Sequence, residues 1–361
     1  MLSYARMIQP AFANIDRLQA RAFAPLRRSL SANWPLWLIL AAYVLVYGII
    51  MAGFPERSKP PVLTSIAGMG PLATALLVGY VSVRAVHLAL TTRPKSPIRA
   101  ILAEFKDTDR SLNGLHVLLV LFLFVDYFTA IKAAIPAIQP FQWDEWFHRA
   151  DLLLHGGSLP HVWLQPFLGH PYITFAVNVV YNLWFFVMWG VLLFFAFQSK
   201  PSALRLRFLI SFFLCWMISG SFFAILFSSA GPCFYGRLGF LPDPYADLMN
   251  YLRLVNESLP IWAVNVQDML WRGYETGQNF VGISAMPSLH NATSLLFALA
   301  AFQVSRGFGW AMTIFAAVIA VGSVILGWHY AVDAYVGWMI TYAIWKAMGP
   351  ISRTLTNANS D

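Results

Sequence analysis

Eight stretches of this chain are apolar over roughly the length a helix needs to cross a bilayer: 34–53, 64–90, 115–138, 172–197, 208–230, 288–304, 310–328 and 332–348. Runs of this length predict an all-α, polytopic membrane bundle rather than a globule. The charge content agrees: 58% of residues are apolar and 11% charged, against about 45–50% and about 25% in soluble domains. Too few charges remain to coat a globular surface. The first run is long enough to stay embedded and lacks the short apolar core and small-residue site of a cleavable signal.

The basic residues orient the bundle. With the N-terminus inside, sixteen of the 24 Lys and Arg fall in the inner segments, 1–33, 91–114, 198–207, 305–309 and beyond 345. The positive-inside bias therefore predicts that both termini are cytoplasmic. It also accounts for the net charge of +8 through contact with anionic headgroups, without a nucleic-acid partner. The organisation that follows is an amphipathic leader (1–33), two spans and a connector (34–114), a six-helix membrane domain (115–348) and a cytoplasmic tail (349–361). Cys215 falls inside the fifth run and Cys233 beyond its outer end, some 25 Å away along a helix, so no disulfide is expected.

Two outer segments, 139–171 and 231–287, are longer than a connection requires, and such loops usually carry function. Trp143, Trp146 and Phe147 in the first, and Tyr235, Trp262 and Trp271 in the second, suit the membrane interface. Polar residues inside the runs, Arg84, Asp126, Asn178 and Asn182, suggest buried pairing.

The chemistry lies near the C-terminus, in Pro287-Ser288-Leu289-His290 and in Leu326-Gly327-Trp328-His329-Tyr330-Ala331-Val332-Asp333. The run after His290 and the returning run before His329 bring both histidines to one membrane face. His329 and Asp333 are four apart and adjacent on a helix. The carboxylate can accept the proton of one imidazole nitrogen and leave the other as a nucleophile. His290 is then available to protonate a leaving oxygen. Ser288, Ser284 and the N–H groups where the sixth helix starts are candidates to hold phosphate oxygens. The same residues have two other readings: polar caps at helix ends, or a zinc site of His290, His329 and Asp333, for which no accompanying metal spacing is present.

At these residues the chain resembles the type 2 phosphatidic acid phosphatase superfamily, whose second motif is Pro-Ser-Gly-His and whose third is Ser-Arg, five residues, His, three residues, Asp. The resemblance implies that His329 is the phosphorylated nucleophile, Asp333 its orienting acid and His290 the general acid, with no metal or organic cofactor. Three departures accompany it. Leu289 replaces the motif glycine, Gly322-Ser323 stands where Ser-Arg belongs, and the near-match to the first motif, Lys200 to Arg207, falls on the opposite face. Arg237, beyond the outer end of the fifth run, is the expected phosphate cation. The Pro-Ser-Leu-His and Leu-Gly-Trp-His-Tyr sequences, Tyr181-Asn182-Leu183-Trp184 and the Asp151–Gly157 segment look like the branch containing inositol phosphorylceramide synthases. That branch implies transfer of a phospho-headgroup from a phospholipid to a sphingolipid or other lipid hydroxyl at the extracytoplasmic face. Hydrolysis of a lipid phosphate is the alternative, and a transporter is the rival from another class.

Overall fold

The computed structural model describes residues 2–54, 106–277 and 282–358, with single positions between 81 and 103. Every regular element among the described residues is helical. The second predicted run, apart from three single positions, and Arg84 lie outside the described residues. The long elements are α1 (Leu2–Ala52), α2 (Thr108–Ile138), α5 (Pro171–Ala196), α6 (Ala203–Met217), α10 (Arg306–Ile325) and α11 (Ala331–Ala358). Surface helices α3 (Asp144–Leu154) and α4 (Pro160–Leu168) fill the first outer segment. Helices α7 (Ala246–Asn256) and α8 (Trp262–Glu275) fill the second, and α9 (Leu289–Phe302) follows it.

Among the described residues, five helices are long and apolar enough to cross a membrane: Phe23–Ala52, Thr108–Ile138, Pro171–Ala196, Ala203–Leu226 and Arg306–Ile325. The chain is thus a polytopic helical membrane bundle. Apolar residues face both lipid and protein, so close packing and polar contacts, rather than the hydrophobic effect, decide which helix faces meet. In α1, Leu36, Leu40, Tyr43, Tyr47 and Met51 form the buried stripe while Leu38, Leu45 and Ile49 are exposed. Tyr43 stacks on Phe124 of α2 at 4.5 Å, and its hydroxyl lies 2.6 Å from Ser221 Oγ.

The basic residues collect at one end of the bundle. Arg28 pairs with Asp109 at 3.0 Å. Arg205, 1% exposed, donates to the Phe195 and Ala196 carbonyls that end α5 and to Asn33 Oδ1. Such a guanidinium satisfies carbonyls that the helix itself leaves open. Arg207 lies over the Trp345 ring at 3.8 Å and donates to the Trp345 carbonyl. The termini of α2, α6, α9, α10 and α11 that carry the motif residues gather at the other end. There α9 is only 14 residues long, about 21 Å against the roughly 30 Å of a hydrocarbon core, which recesses its N-terminus beneath the outer loops. The span of α6 passes through a π-helical turn, Ile218–Phe223. A Cβ on Gly220 in that turn would come within 2.7 Å of Leu289 and Phe128, so the widened turn lets three elements close on one point.

Candidate active site

His329 sits in the turn between α10 and α11, and the backbone fixes that turn before any side chain acts. The Trp328 and His329 N–H groups both donate to the Ser323 carbonyl at 3.0 Å. Gly327 takes φ +73°, and its carbonyl accepts the Cys233 N–H at 2.9 Å. Gln267 of α8 donates to the Leu326 carbonyl at 2.8 Å. On His329 itself, Nδ1 lies 3.2 Å from Asp333 Oδ2, which also accepts the Tyr330 N–H at 3.2 Å. With its proton on Nδ1 held by the carboxylate, the imidazole presents an unprotonated Nε2. Burial chiefly, and then the charge of Lys132, push the His329 pKa down to about 3, against a weaker backbone contact with Ala285. The ring is therefore neutral at physiological pH.

His290 opens α9. Ser288 caps that helix by accepting the Asn291 N–H, and the Ser288 N–H donates to the Asp333 carbonyl at 3.1 Å, which stitches the two motifs together. The His290 ring lies between Tyr181 and Trp184, with centroids at 4.7 and 4.0 Å, and 6.3 Å from the His329 ring. Both histidines line a cavity of about 490 Å³ with Ser284, Lys132, Tyr181 and Asn182, and with apolar walls that include Phe128, Phe185, Trp216 and Leu289.

The other predicted site residues divide. Ser284 lines the cavity, whereas Ser288 is fully buried and used as a helix cap. Arg237 does not face the cavity: its guanidinium pairs with Asp268 of α8 and lies 5.8 Å from the Trp271 ring. The expected phosphate cation, Arg237, is thus paired with a carboxylate of its own loop and is not among the residues lining the cavity. Among the described residues the Lys or Arg that lines the cavity is Lys132, from α2. Its run, 115–138, carries one other charged residue, Asp126. Ser323, at the position of the third-motif arginine, is buried and accepts a hydrogen bond from Asn291 Nδ2 at 3.2 Å.

Two further acids were legible only as part of an interfacial segment. Asp144 and Asp151 lie seven apart on the inner face of α3, at 0% and 2% exposure, while Trp146, Leu153 and Leu154 point outward. Asp144 accepts the Ala230 N–H at 2.9 Å, the Gly231 N–H at 2.7 Å and the Tyr330 hydroxyl at 2.9 Å. Asp151 accepts the Ala331 and Val332 N–H groups at 2.8 and 2.9 Å, at the positive end of α11. Burial raises the pKa of both acids, and these hydrogen bonds oppose the shift. The surface helix thereby holds the backbone that follows His329 and the turn at Ala230 and Gly231. Among the described residues, no group of three or more His, Cys, Asp or Glu side chains is arranged to hold a metal ion. Cys215 and Cys233 are free and buried.

No curated protein and no solved structure matches the chain. A sequence profile described as the PAP2 superfamily matches residues 145–347. That range contains both histidines, Asp333 and the α3 acid Asp151, and leaves Lys132 and Asp144 outside. Since the match extends over more than half of the chain, this protein belongs to the PAP2 superfamily.

Proposed function

We propose that the protein is a lipid phosphotransferase that works through a phosphohistidine at His329. One observation carries the reading: a neutral imidazole with Nδ1 held by Asp333 faces a second imidazole, 6.3 Å away, across a cavity that also holds a lysine. Superfamily membership supports phosphatase or phosphotransferase chemistry. In the first step His329 Nε2 attacks phosphorus, the bond from phosphorus to the leaving oxygen breaks, and His290 gives that oxygen a proton. In the second an acceptor hydroxyl passes its proton to His290, its oxygen attacks phosphorus, and the P–N bond breaks to regenerate His329.

Transfer to a lipid hydroxyl is favoured over hydrolysis by the apolar walls, by Leu289 in place of the motif glycine and by the cover that α8 provides through Ala263, Val266 and Leu270. A transferase must exclude water while it positions a second hydroxyl. This agrees with the resemblance to the inositol phosphorylceramide synthase branch and with phospholipid and sphingolipid substrates. Because the site lies at the end opposite Arg28, Arg205 and Arg207, the positive-inside rule assigns it to the extracytoplasmic face, periplasmic in a bacterial inner membrane.

The test uses purified protein and a phospholipid labelled with ³²P. Wild type and Asp333→Asn should form an acid-labile phosphoenzyme, more slowly in the variant. His329→Ala should form none, and His290→Ala should accumulate it only from a donor with a good leaving group. A new labelled lipid should appear when a lipid alcohol is added. Full turnover by His329→Ala would eliminate the mechanism, and release of free phosphate at an unchanged rate with every acceptor would replace transfer by hydrolysis.

A further inference from the structure

Lys132 lies six residues before the end of α2 and ahead of the segment matched to the superfamily. Among the described residues its ammonium has no hydrogen bond or ion pair, and it lies 5.9 Å from the Phe128 ring. The backbone at Gly282, two residues before Ser284, packs against the backbone of Lys132, where a Cβ would stand 1.8 Å from the Lys132 carbonyl oxygen. An ammonium without a counterion in an apolar cavity within a membrane bundle is costly, and an anionic ligand relieves that cost.

The charges around the cavity limit which anion fits. Arg237 is committed to Asp268, so among the described residues Lys132 is the one Lys or Arg lining the cavity. His290 carries at most one further proton. Behind the nucleophile stand three buried carboxylates: Asp333 against His329, Asp144 against Tyr330 and Asp151 at the start of α11. A phosphomonoester brings about −1.5 to −2 charges at neutral pH, whereas a phosphodiester brings one. In a low-dielectric site the second negative charge has no partner among the described residues and is repelled by the acids.

We propose that Lys132 binds the substrate phosphate and that this lone cation makes the site select a singly charged phosphodiester lipid over a dianionic phosphomonoester. The proposal rests on the phosphohistidine reading above. With a glycerophospholipid donor, His329 displaces diacylglycerol, whose oxygen takes the His290 proton, and the phospho-headgroup stays on His329 until an alcohol accepts it.

The experiment measures diacylglycerol release by the purified full-length protein in micelles, with a lipid alcohol as acceptor. Phosphatidylglycerol and phosphatidylinositol are compared with phosphatidic acid of the same acyl chains. The better diester should exceed phosphatidic acid in kcat/KM by about tenfold or more, as expected for one uncompensated charge. Lys132→Met should lower kcat/KM for the diester by roughly 100-fold, and Lys132→Arg should retain most of it. Thr129→Lys places a second ammonium one turn earlier on the same helix face and should move the ratio toward phosphatidic acid. Equal or faster use of phosphatidic acid by wild type, or a Lys132→Met variant within about twofold of wild type, would overturn the proposal. Should Thr129→Lys fail to fold, the wild-type ratio and the Met and Arg pair decide alone. His329→Ala serves as the control: its activity would sink the phosphohistidine reading, whereas its inactivity beside a preference for phosphatidic acid would sink only the charge selection.

Discussion

Replacing Asp144 with alanine should be among the most damaging single changes outside the two motifs. The carboxylate accepts hydrogen bonds from the Ala230 N–H, the Gly231 N–H and the Tyr330 hydroxyl, and Asp144, Ala230 and Tyr330 are all at most 5% exposed. Each buried donor left without a partner costs about 1–3 kcal/mol. Water entering the vacated space can satisfy some of them, so the total should be about 3–6 kcal/mol rather than the full sum. Gly231 cannot move to compensate: it takes φ +104°, and even its Cβ position lies 2.6 Å from the Trp328 carbonyl. Asp144→Asn keeps the volume and one acceptor but turns an NH₂ toward a donor, for a loss of about 2–3 kcal/mol. Tyr330→Phe removes only the third bond and should cost about 1.5–3 kcal/mol, the range for a hydrogen bond to a charged group. Unfolding in mixed detergent micelles, followed by tryptophan fluorescence, gives the three stabilities, and phosphoenzyme formation reports the geometry of the nucleophile. The reasoning is refuted if Asp144→Ala lies within about 0.5 kcal/mol of wild type, or if Tyr330→Phe costs as much as Asp144→Ala.

Two further predictions address pH and orientation. His161 is 7% exposed, and burial chiefly, then the neighbouring His148, lower its pKa from 6.5 to about 4 against the opposing charge of Asp247. The unfolded chain therefore takes up this proton first. Stability is full above pH 6.5 and is lost as pH falls through about 4, by roughly 3 kcal/mol at most. His161→Gln should flatten that part of a pH series of unfolding midpoints, and an unchanged slope would contradict the assignment. For orientation, Leu153 is 84% exposed on α3, and Val304 is 46% exposed in the turn between α9 and α10 at the opposite end. Both native cysteines are buried. An impermeant thiol reagent should label Leu153→Cys in intact cells and Val304→Cys only after membrane rupture; the reverse pattern would place the site inside.

The spans and the two motifs were legible in the sequence because both depend on local spacing. Twenty apolar residues in succession form a helix in lipid whatever their neighbours, and the close spacing of His329 and Asp333 brings them together even though His329 itself lies in the turn that precedes α11. Counting membrane crossings put His290 and His329 at one end of the bundle, and the packing of α9 against α11 brings their rings to 6.3 Å. The partners of single charges did not follow. Arg237 has the right chemistry and stands at the outer end of the α6 span, yet the fold of the second outer segment brings Asp268 to it first. The spacing of the run 115–138 left the direction of Lys132 open; the rotation of α2, set by Phe124 and Phe128 packing against α1 and α6, turns it toward the histidines. Asp144 and Asp151 read as the polar face of an interfacial helix, and only long-range packing showed that this face points inward, onto the turns beside the nucleophile. A helix fixes the relative directions of its own side chains, whereas its rotation about its axis and the segment that reaches a given charge are set by contacts among residues far apart in the chain.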